Sequence, residues 1–337
     1  MTPEQLPGAP TPYDKPGDFI MTQFMRFVGI DVSKDHLDIH CLPDGLALRV
    51  ANSGEGIGLL LQRIGALEGV AFGCEATGGY EDLLLIRLGQ AAVPGYCLHP
   101  SDVRAHSRLT GKRAKTDRLD ARAIAGALQV AVATRKPAIR AASLSAIKEL
   151  TTLRRRLIAG VNELKSLRAR MGDAGVLGTI DAMIDQHVKA VKALQAQIRS
   201  ALAGHPEQAQ RARRIASMPG AGPVLTAELI GSMPELGTLS ARQAASLTGV
   251  APHPRQSGNT GGRGRCQGGR AAIRRVLYMA ALSVIRSQKQ PLAAFYAKLR
   301  AAGKPFKLAI VAIMRKLIVT LNAMIKNDQD WQPETQS

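Results

Sequence analysis

Between Leu236 and Asn327 the chain contains no aspartate and no glutamate, yet the same stretch carries sixteen lysines and arginines. With no acid nearby in sequence to neutralise it, that charge excludes a cationic partner and favours a polyanion. Aromatic residues are also scarce, at five Tyr, six Phe and one Trp, so extensive stacking of single-stranded bases on aromatic rings is not expected. Cysteine is limited to Cys41, Cys74, Cys97 and Cys266, widely spaced and without a CxxC pair. This argues against a zinc site or a disulfide scaffold, and buried reduced thiols are the better expectation. No apolar run is read as reaching membrane-spanning length, and the N-terminus lacks the basic start and apolar core of a secretory signal. A soluble, cytoplasmic protein with no membrane partner is therefore expected.

What is present sharpens this picture. At 337 residues and a formal charge of +19, the chain suits two or three domains and a nucleic-acid partner. Residues 1–25 are rich in proline and poor in apolar side chains, which predicts a disordered tail. Then come Phe27 to Val32, His36 to Cys41 and Leu46 to Val50, the last after a Pro43-Asp44-Gly45 turn. These read as three strands of a meander. An amphipathic helix over about 55–67 precedes a fourth strand, Val70 to Glu75, and a helix over about 80–91 leads to a fifth, Gly95 to His99. A basic helical segment follows to about 130. Three antiparallel strands followed by alternating helices and strands is the order of the ribonuclease H fold, so an α/β RuvC-like domain is expected over 26–140. In that fold the first and fourth strands are neighbours, which brings Asp31 and Glu75 together at one end of the sheet.

Apolar residues at Leu144, Ile147, Leu150, Leu153, Leu157, Val161, Leu164, Leu167 and Met171 recur at intervals of three or four and mark one face of a long helix. Gly172 to Gly178 is read as a break, and a second such helix runs from Ile180 to Leu202. The pair predicts a coiled-coil hairpin over 141–205, packing on itself or contributing to a dimer. Residues 206–327 read as a mostly α-helical C-terminal domain, with 328–337 as a tail. Within it, Pro219-Gly220-Ala221-Gly222 joins two helices, either as a helix-hairpin-helix that meets a nucleic-acid phosphate or as a plain turn. Arg255 to Arg265 reads as a flexible polar loop bracketed by arginines.

The chemistry-bearing residues divide between these domains. Asp117 and Asp120 lie three apart on one helical face, which on its own describes a solvated helix with local ion pairs. Joined to Asp31 and Glu75 at strand ends, they make a candidate site for a divalent cation, and such hard oxygen ligands select Mg2+ or Mn2+ over zinc. One or two ions of this kind stabilise charge on the oxygens of a phosphodiester. Ser257 lies in a glycine-rich stretch, where serines are more often turn formers or phosphate donors than nucleophiles. Lys112, Arg113 and Lys115 near the acids, and Arg255, Arg263, Arg265, Arg270, Arg274 and Arg275 around the serine, are the candidate nucleic-acid contacts.

Phe27-Val28-Gly29-Ile30-Asp31-Val32-Ser33-Lys34, Cys74-Glu75-Ala76-Thr77-Gly78-Gly79-Tyr80 and Lys115-Thr116-Asp117-Arg118-Leu119-Asp120-Ala121-Arg122 together resemble the DEDD-type insertion-sequence transposases that use a serine nucleophile and a bridge RNA. The resemblance covers about residues 26–326. It implies that Asp31, Glu75, Asp117 and Asp120 form a RuvC-like magnesium site, and that Ser257 in the C-terminal transposase domain attacks DNA to form a covalent phosphoserine. It further implies donor and target double-stranded DNA, an element-encoded bridge RNA, a homo-oligomer between dimer and tetramer, and a bacterial-type, nucleoid-associated setting. A metal-dependent nuclease or resolvase using water needs the four acids but not Ser257. A non-catalytic basic nucleic-acid-binding protein needs neither.

Overall fold

A computed structural model describes residues 24–65, 67–110, 117–135, 137–138, 142–257, 260–287 and 291–332, and leaves the side chains at 117–119, 142–143 and 253–263 outside its description. Two compact units divide the chain, Met1–Ala141 and Ala142–Ser337. The expected disordered tail and Lys112, Arg113 and Lys115 lie outside the described residues, apart from the last two positions of the tail.

In the first unit, β1 (Arg26–Val32), β2 (His36–Leu42) and β3 (Ala47–Ala51) form the antiparallel meander. Helix α1 (Gly54–Leu60), extended by a π-helical turn over Leu61–Gly65, leads to β4 (Val70–Glu75), which pairs parallel with β1. After α2 (Asp82–Gln90), β5 (Gly95–Leu98) pairs parallel with β4, giving the order β3-β2-β1-β4-β5. This mixed sheet is the arrangement the ribonuclease H reading requires. The basic segment is two helices, α3 (Pro100–Leu109) and α4 (Asp117–Ala131).

Strand alternation builds a core on each face of the sheet. Val28, Ile30 and Val32 join Leu37, Ile39, Phe72 and Cys74 against Ile57, Leu60, Leu84 and Leu88 of α1 and α2. Phe27, Ala71, Tyr96 and Leu98 face Val103 of α3 and Ile124, Leu128 and Ala131 of α4. Glycine permits the closest approach on this second face. A Cβ on Gly29 would lie 2.1 Å from the Ala121 carbonyl oxygen and 2.3 Å from the Ala125 nitrogen, so α4 rests directly on the backbone of β1.

The second unit opens with α5 (Ala142–Arg168) and α6 (Ala174–Ala203), an antiparallel helical hairpin. The expected glycine break is shorter than read: α6 begins before Gly175 and runs through Gly178. Asp173 makes this possible by accepting from the Val176 amide at 2.9 Å, an N-cap whose stabilisation offsets roughly one helical glycine. Arg168 Nε and Asp181 Oδ1, 2.6 Å apart, pin the turn from outside. Next come α7 (Pro206–Ser217), α8 (Pro223–Ser232) and α9 (Ala241–Leu247).

Residues 255–257 and 260–265 are strands, not a loop. Pro252–Ser257 forms β6 and Thr260–Cys266 forms β7, an antiparallel hairpin with Ser257 opposite Thr260. Two residues, Gly258-Asn259, separate the strands, and a two-residue Gly-Asn link is itself a hairpin signal that the glycine content concealed. The chain then runs through α10 (Ala271–Ser287), α11 (Pro291–Ala301) and α12 (Phe306–Lys326). Ile147 of α5 and Ile198 and Leu202 of α6 share one core with Leu225, Leu229, Leu277, Ile313 and Leu317.

Helix α12 corrects a second expectation. With 21 residues and a mean hydropathy of 1.9 over its most apolar window, it is long and apolar enough to cross a membrane by length and composition. Its Ile310, Ile313, Leu317, Ile318 and Leu321 are each almost fully buried in the unit's own core. At ~1.5–3 kcal/mol for each large side chain removed from water, that burial accounts for the composition.

Candidate active site

The pairing of β1 with β4 matches Ile30 to Cys74. The next residues, Asp31 and Glu75, are therefore neighbours across two parallel strands about 4.8 Å apart. Both belong to the face that carries Gly29 and Gly73, which is the α4 face. Going along that face from Phe27 through Gly29 to Asp31 means moving from the C-terminal part of α4, past Ala125 and Ala121, towards its first turn. Asp120 precedes Ala121, and Asp117 begins the helix. Asp31, Glu75 and Asp120 are each half-buried, while the Asp117 side chain lies outside the description. Among the described residues no group of three or more His, Cys, Asp or Glu side chains is close enough to hold a metal ion. The acids share one end of the sheet, and all their donors are hard carboxylate oxygens of the type magnesium and manganese take.

A fifth acid in this row escaped the sequence reading. Asp38 is the cross-strand partner of Asp31 and of Arg49, so Glu75, Asp31, Asp38 and Arg49 run in order across β4, β1, β2 and β3. Arg49 grips Asp38 in a fork, with Nε to Oδ1 and Nη2 to Oδ2 both at 2.8 Å. Asp38 is buried, at 8% exposure, and its charge is balanced by this guanidinium. Only the strand register identifies it, because in sequence it is one more polar residue in an alternating strand.

Two further residues hold the loops that follow the acids. Asn52 Nδ2 donates to the Ser33 carbonyl at 2.9 Å and the Tyr80 carbonyl at 3.1 Å, tying the turn after Asp31 to the loop after Glu75. Buried Glu81, at 4% exposure, accepts through Oε2 from the Thr77 amide, the Thr77 hydroxyl and the Gly79 amide at 3.2, 2.7 and 2.8 Å. Gly78 and Gly79 have φ of +88° and +134°, a backbone that other residues adopt only under strain. The Thr77-Gly78-Gly79 sequence thus shapes a tight loop around a buried carboxylate.

The basic residues of the second unit divide into two kinds. Arg270 is built into the fold: its Nη1 and Nη2 meet both oxygens of Glu235 at 2.8 Å, and Nη1 also donates to the Ser232 carbonyl at 2.6 Å. Arg274 Nη1 donates to the Gly268 carbonyl at 2.5 Å. Arg265 and Arg275 are exposed. The side chains of Arg255, Arg263 and Ser257 lie outside the description, although their backbones belong to the β6–β7 hairpin, whose register sets Arg255 opposite Gly262 and Arg265 opposite His253. Ser257 and the acid row occupy different units.

Comparison with known families matches residues 28–171 to a family described as Transposase, of the IS110 DEDD type, and residues 212–297 to the Transposase IS116/IS110/IS902 family. A Streptomyces clavuligerus protein described as the insertion element IS116 uncharacterized 44.8 kDa protein is 35% identical over 36% of this chain and 31% of its own length. The pilin gene-inverting protein of Moraxella bovis is 26% identical over 76% of this chain and 80% of its own length. The matched region thus spans about a third of the first of these relatives and four fifths of the second. The Thermus thermophilus RuvC structure matches over 34% of this chain and all of its own, at 19% identity and a TM-score of 0.25.

Proposed function

Because the chain belongs to the IS116/IS110/IS902 family of DEDD transposases, we propose that it cuts and rejoins donor and target DNA at a site using Asp31, Glu75, Asp117 and Asp120 together with Ser257. The observation that carries this reading is the register that sets Asp31 beside Glu75 on the face covered by α4, at the end where Asp117 and Asp120 begin that helix. Those four carboxylates would hold Mg2+ or Mn2+, which supplies electrostatic stabilisation of developing charge on phosphodiester oxygens. Burial at the sheet end and the fixed loops around Asn52 and Glu81 keep the carboxylates in place before substrate arrives.

Ser257, at the end of β6, supplies the attacking oxygen: the Ser257 Oγ–P bond forms as the bond from phosphorus to the leaving sugar oxygen breaks. The phosphodiester is conserved as a phosphoserine, so rejoining needs no nucleotide cofactor. Arg255, Arg263 and Arg265 on the same hairpin neutralise the scissile phosphate, and Arg275 with Lys112, Arg113 and Lys115 holds flanking backbone. A bridge RNA pairing with donor and target would leave sequence choice to base pairing. Assembly as a dimer or tetramer brings the acids and the serine together, in a cytoplasmic, nucleoid-associated enzyme.

The pilin gene-inverting relatives favour recombination over simple hydrolysis, and the test separates the two. Purified protein is incubated with cognate RNA, both DNA partners and Mg2+, and adducts are mapped by mass spectrometry. DNA on the peptide containing Ser257, and its loss in Ser257→Ala with DNA binding retained, is expected. Cleavage without any adduct would make the chain a water-using nuclease. Asn substitutions of all four acids that left cleavage intact would remove the acid row from the reaction.

A further inference from the structure

In the second unit α5, α6, α7 and the start of α8 surround a cavity of about 510 Å3, within the size range of small-ligand sites. Its walls include Ile198 and Leu202 of α6 and Val224 of α8, and three helices each contribute an arginine: Arg154 from α5, Arg199 from α6 and Arg213 from α7. Glu228 lines it too, but its carboxylate accepts from Arg155 Nη1 and the Ser232 hydroxyl, both at 2.9 Å. The cavity is thus largely apolar in its walls, and its polar points are three arginines, the neutral Thr151, Gln195 and Thr226, and the already engaged Glu228 carboxylate.

Arg154 gives this arrangement its direction. Its Nε is buried and has no hydrogen-bond partner, and burial pulls its guanidinium below the usual pKa against the opposing influence of Glu228. A buried unpartnered donor on a cation is costly; Nε itself is sealed from solvent, but Arg154 is only half-buried and lines the cavity, where an anion would offset the desolvation of its charge. The N-terminus of α8 adds a second source of positive potential: Gly222 caps it without a side chain and Pro223 has no amide hydrogen, so Val224 and Leu225 are the first residues that present an N–H at that end of the helix. A lone inorganic anion satisfies the arginines but leaves the apolar wall uncovered. An unpaired nucleotide satisfies both, with phosphate on the guanidinium groups and base on Ile198, Leu202 and Val224. The scarcity of aromatic side chains makes such an aliphatic wall the available surface for a base.

We propose that this cavity binds one unpaired nucleotide of a nucleic-acid strand, its phosphate held by Arg154, Arg199 and Arg213. The strand, as distinct from a free nucleotide, rests on the nucleic-acid reading of the protein; cleavage and Ser257 are not required. The site also gives a function to the glycine hairpin between α7 and α8, whose Gly220 (φ +86°) packs against Val284 and Ala280 while Gly222 faces open space.

The test uses the full chain in EDTA, with a fluorescent oligodeoxythymidylate as probe and thymidine monophosphate and oligoglutamate as competitors. Arg154→Gln, Arg199→Gln and Arg213→Gln should each weaken binding about tenfold and make the slope of log affinity against log salt shallower, by no more than about 0.7 for the three together because one phosphate is held. Ala216→Trp, which narrows the apolar wall without changing charge, should weaken binding and leave the slope unchanged. Melting temperatures identify any variant that fails to fold, and Ala216→Trp keeps the proposal testable if an arginine variant does. Weak competition by thymidine monophosphate supports the site. Unchanged affinity in the folded variants, displacement by oligoglutamate as efficient as by nucleotide, or binding of the monophosphate but not the strand would each overturn it. Because no cleavage is read, an active transposase can fail this test and an inactive protein can pass it.

Discussion

In the N-terminal unit an arginine, Arg49, grips the acid beside Asp31; in the C-terminal unit an acid, Glu235, grips the arginine just before a basic helix. The contacts are alike, but their consequences differ. Arg49 balances a fifth carboxylate in a row that already gathers like charges, leaving Asp31 and Glu75 as the neighbouring pair on β1 and β4. Glu235, one residue before the acid-free stretch begins, withdraws Arg270 from a surface that formal charge alone would assign to nucleic acid. Charge counted along a sequence therefore measures the polyanion surface only after the arginines that build the fold have been subtracted. Arg211 makes the same point, donating to the Pro234 and Leu236 carbonyls at 3.2 and 2.6 Å.

The comparison breaks most severely if the platform under the acids moves. Gly29→Ala places a methyl group against the α4 backbone at Ala121 and Ala125, atoms that cannot rotate away. The expected loss is about 3 kcal/mol or more, above ordinary overpacking, with cleavage abolished; denaturant midpoints and a strand-cleavage assay read both. Gly73→Ala meets only Leu128 side-chain atoms at 3.0 Å and beyond, so it should cost about 1 kcal/mol.

Next in size come the two ion pairs. Arg49→Ala leaves the buried Asp38 carboxylate without its fork and should cost about 2 kcal/mol, less than a fully buried pair because Arg49 itself is 54% exposed. Arg270→Ala should cost a similar amount, and the double variant Arg270→Ala, Glu235→Gln less than the sum of the two single changes. Additive losses in that cycle would show that the two side chains do not act on one another. Both variants are read by chemical unfolding of the full chain.

Arg265→Ala and Arg275→Ala sharpen the contrast from the other side. Both are exposed, so stability should stay within ~0.5 kcal/mol while the salt slope of DNA affinity becomes shallower by about 1 for each phosphate contact removed. If these variants unfolded the protein and Arg270→Ala did not, the division between building and binding arginines would be reversed.

The smallest effect concerns the α5–α6 hairpin. The hydrogen bond from Arg168 holds the Asp181 carboxyl below its ordinary pKa, so its stabilising contribution is fully present above the usual carboxylate value and is lost as pH falls through the lowered one. Asp181→Asn should scarcely change melting at neutral pH and should remove that acid-dependent part. A large loss at neutral pH would mean that this exposed pair does more than pin the turn.

Much of the first unit could be read directly from residue order. Alternating apolar strands with helices between them dictate which residues face the sheet's two cores, and a parallel β1–β4 pair brings Asp31 and Glu75 to one end. The three- and four-residue apolar spacing likewise dictates the two long helices of the hairpin. The β6–β7 hairpin was hidden because its strands are built from glycine, arginine and proline, with almost no alternating apolar signal; the Gly258-Asn259 link was the one local cue. The role of Glu81 was hidden for another reason, since a buried carboxylate that accepts three hydrogen bonds looks in sequence like any acid at the start of a helix.

Local propensity and apolar periodicity act between residues a few positions apart, and they determined the element order, the amphipathic faces and the positions of the acids on their strands. Strand register, the approach of α4 over Gly29, the partners of Asp38 and Arg270 and the burial of Arg154 Nε depend on residues distant in sequence. Tertiary packing alone decided these, because whether a charge is balanced, exposed or buried without a partner depends on what the folded chain sets beside it.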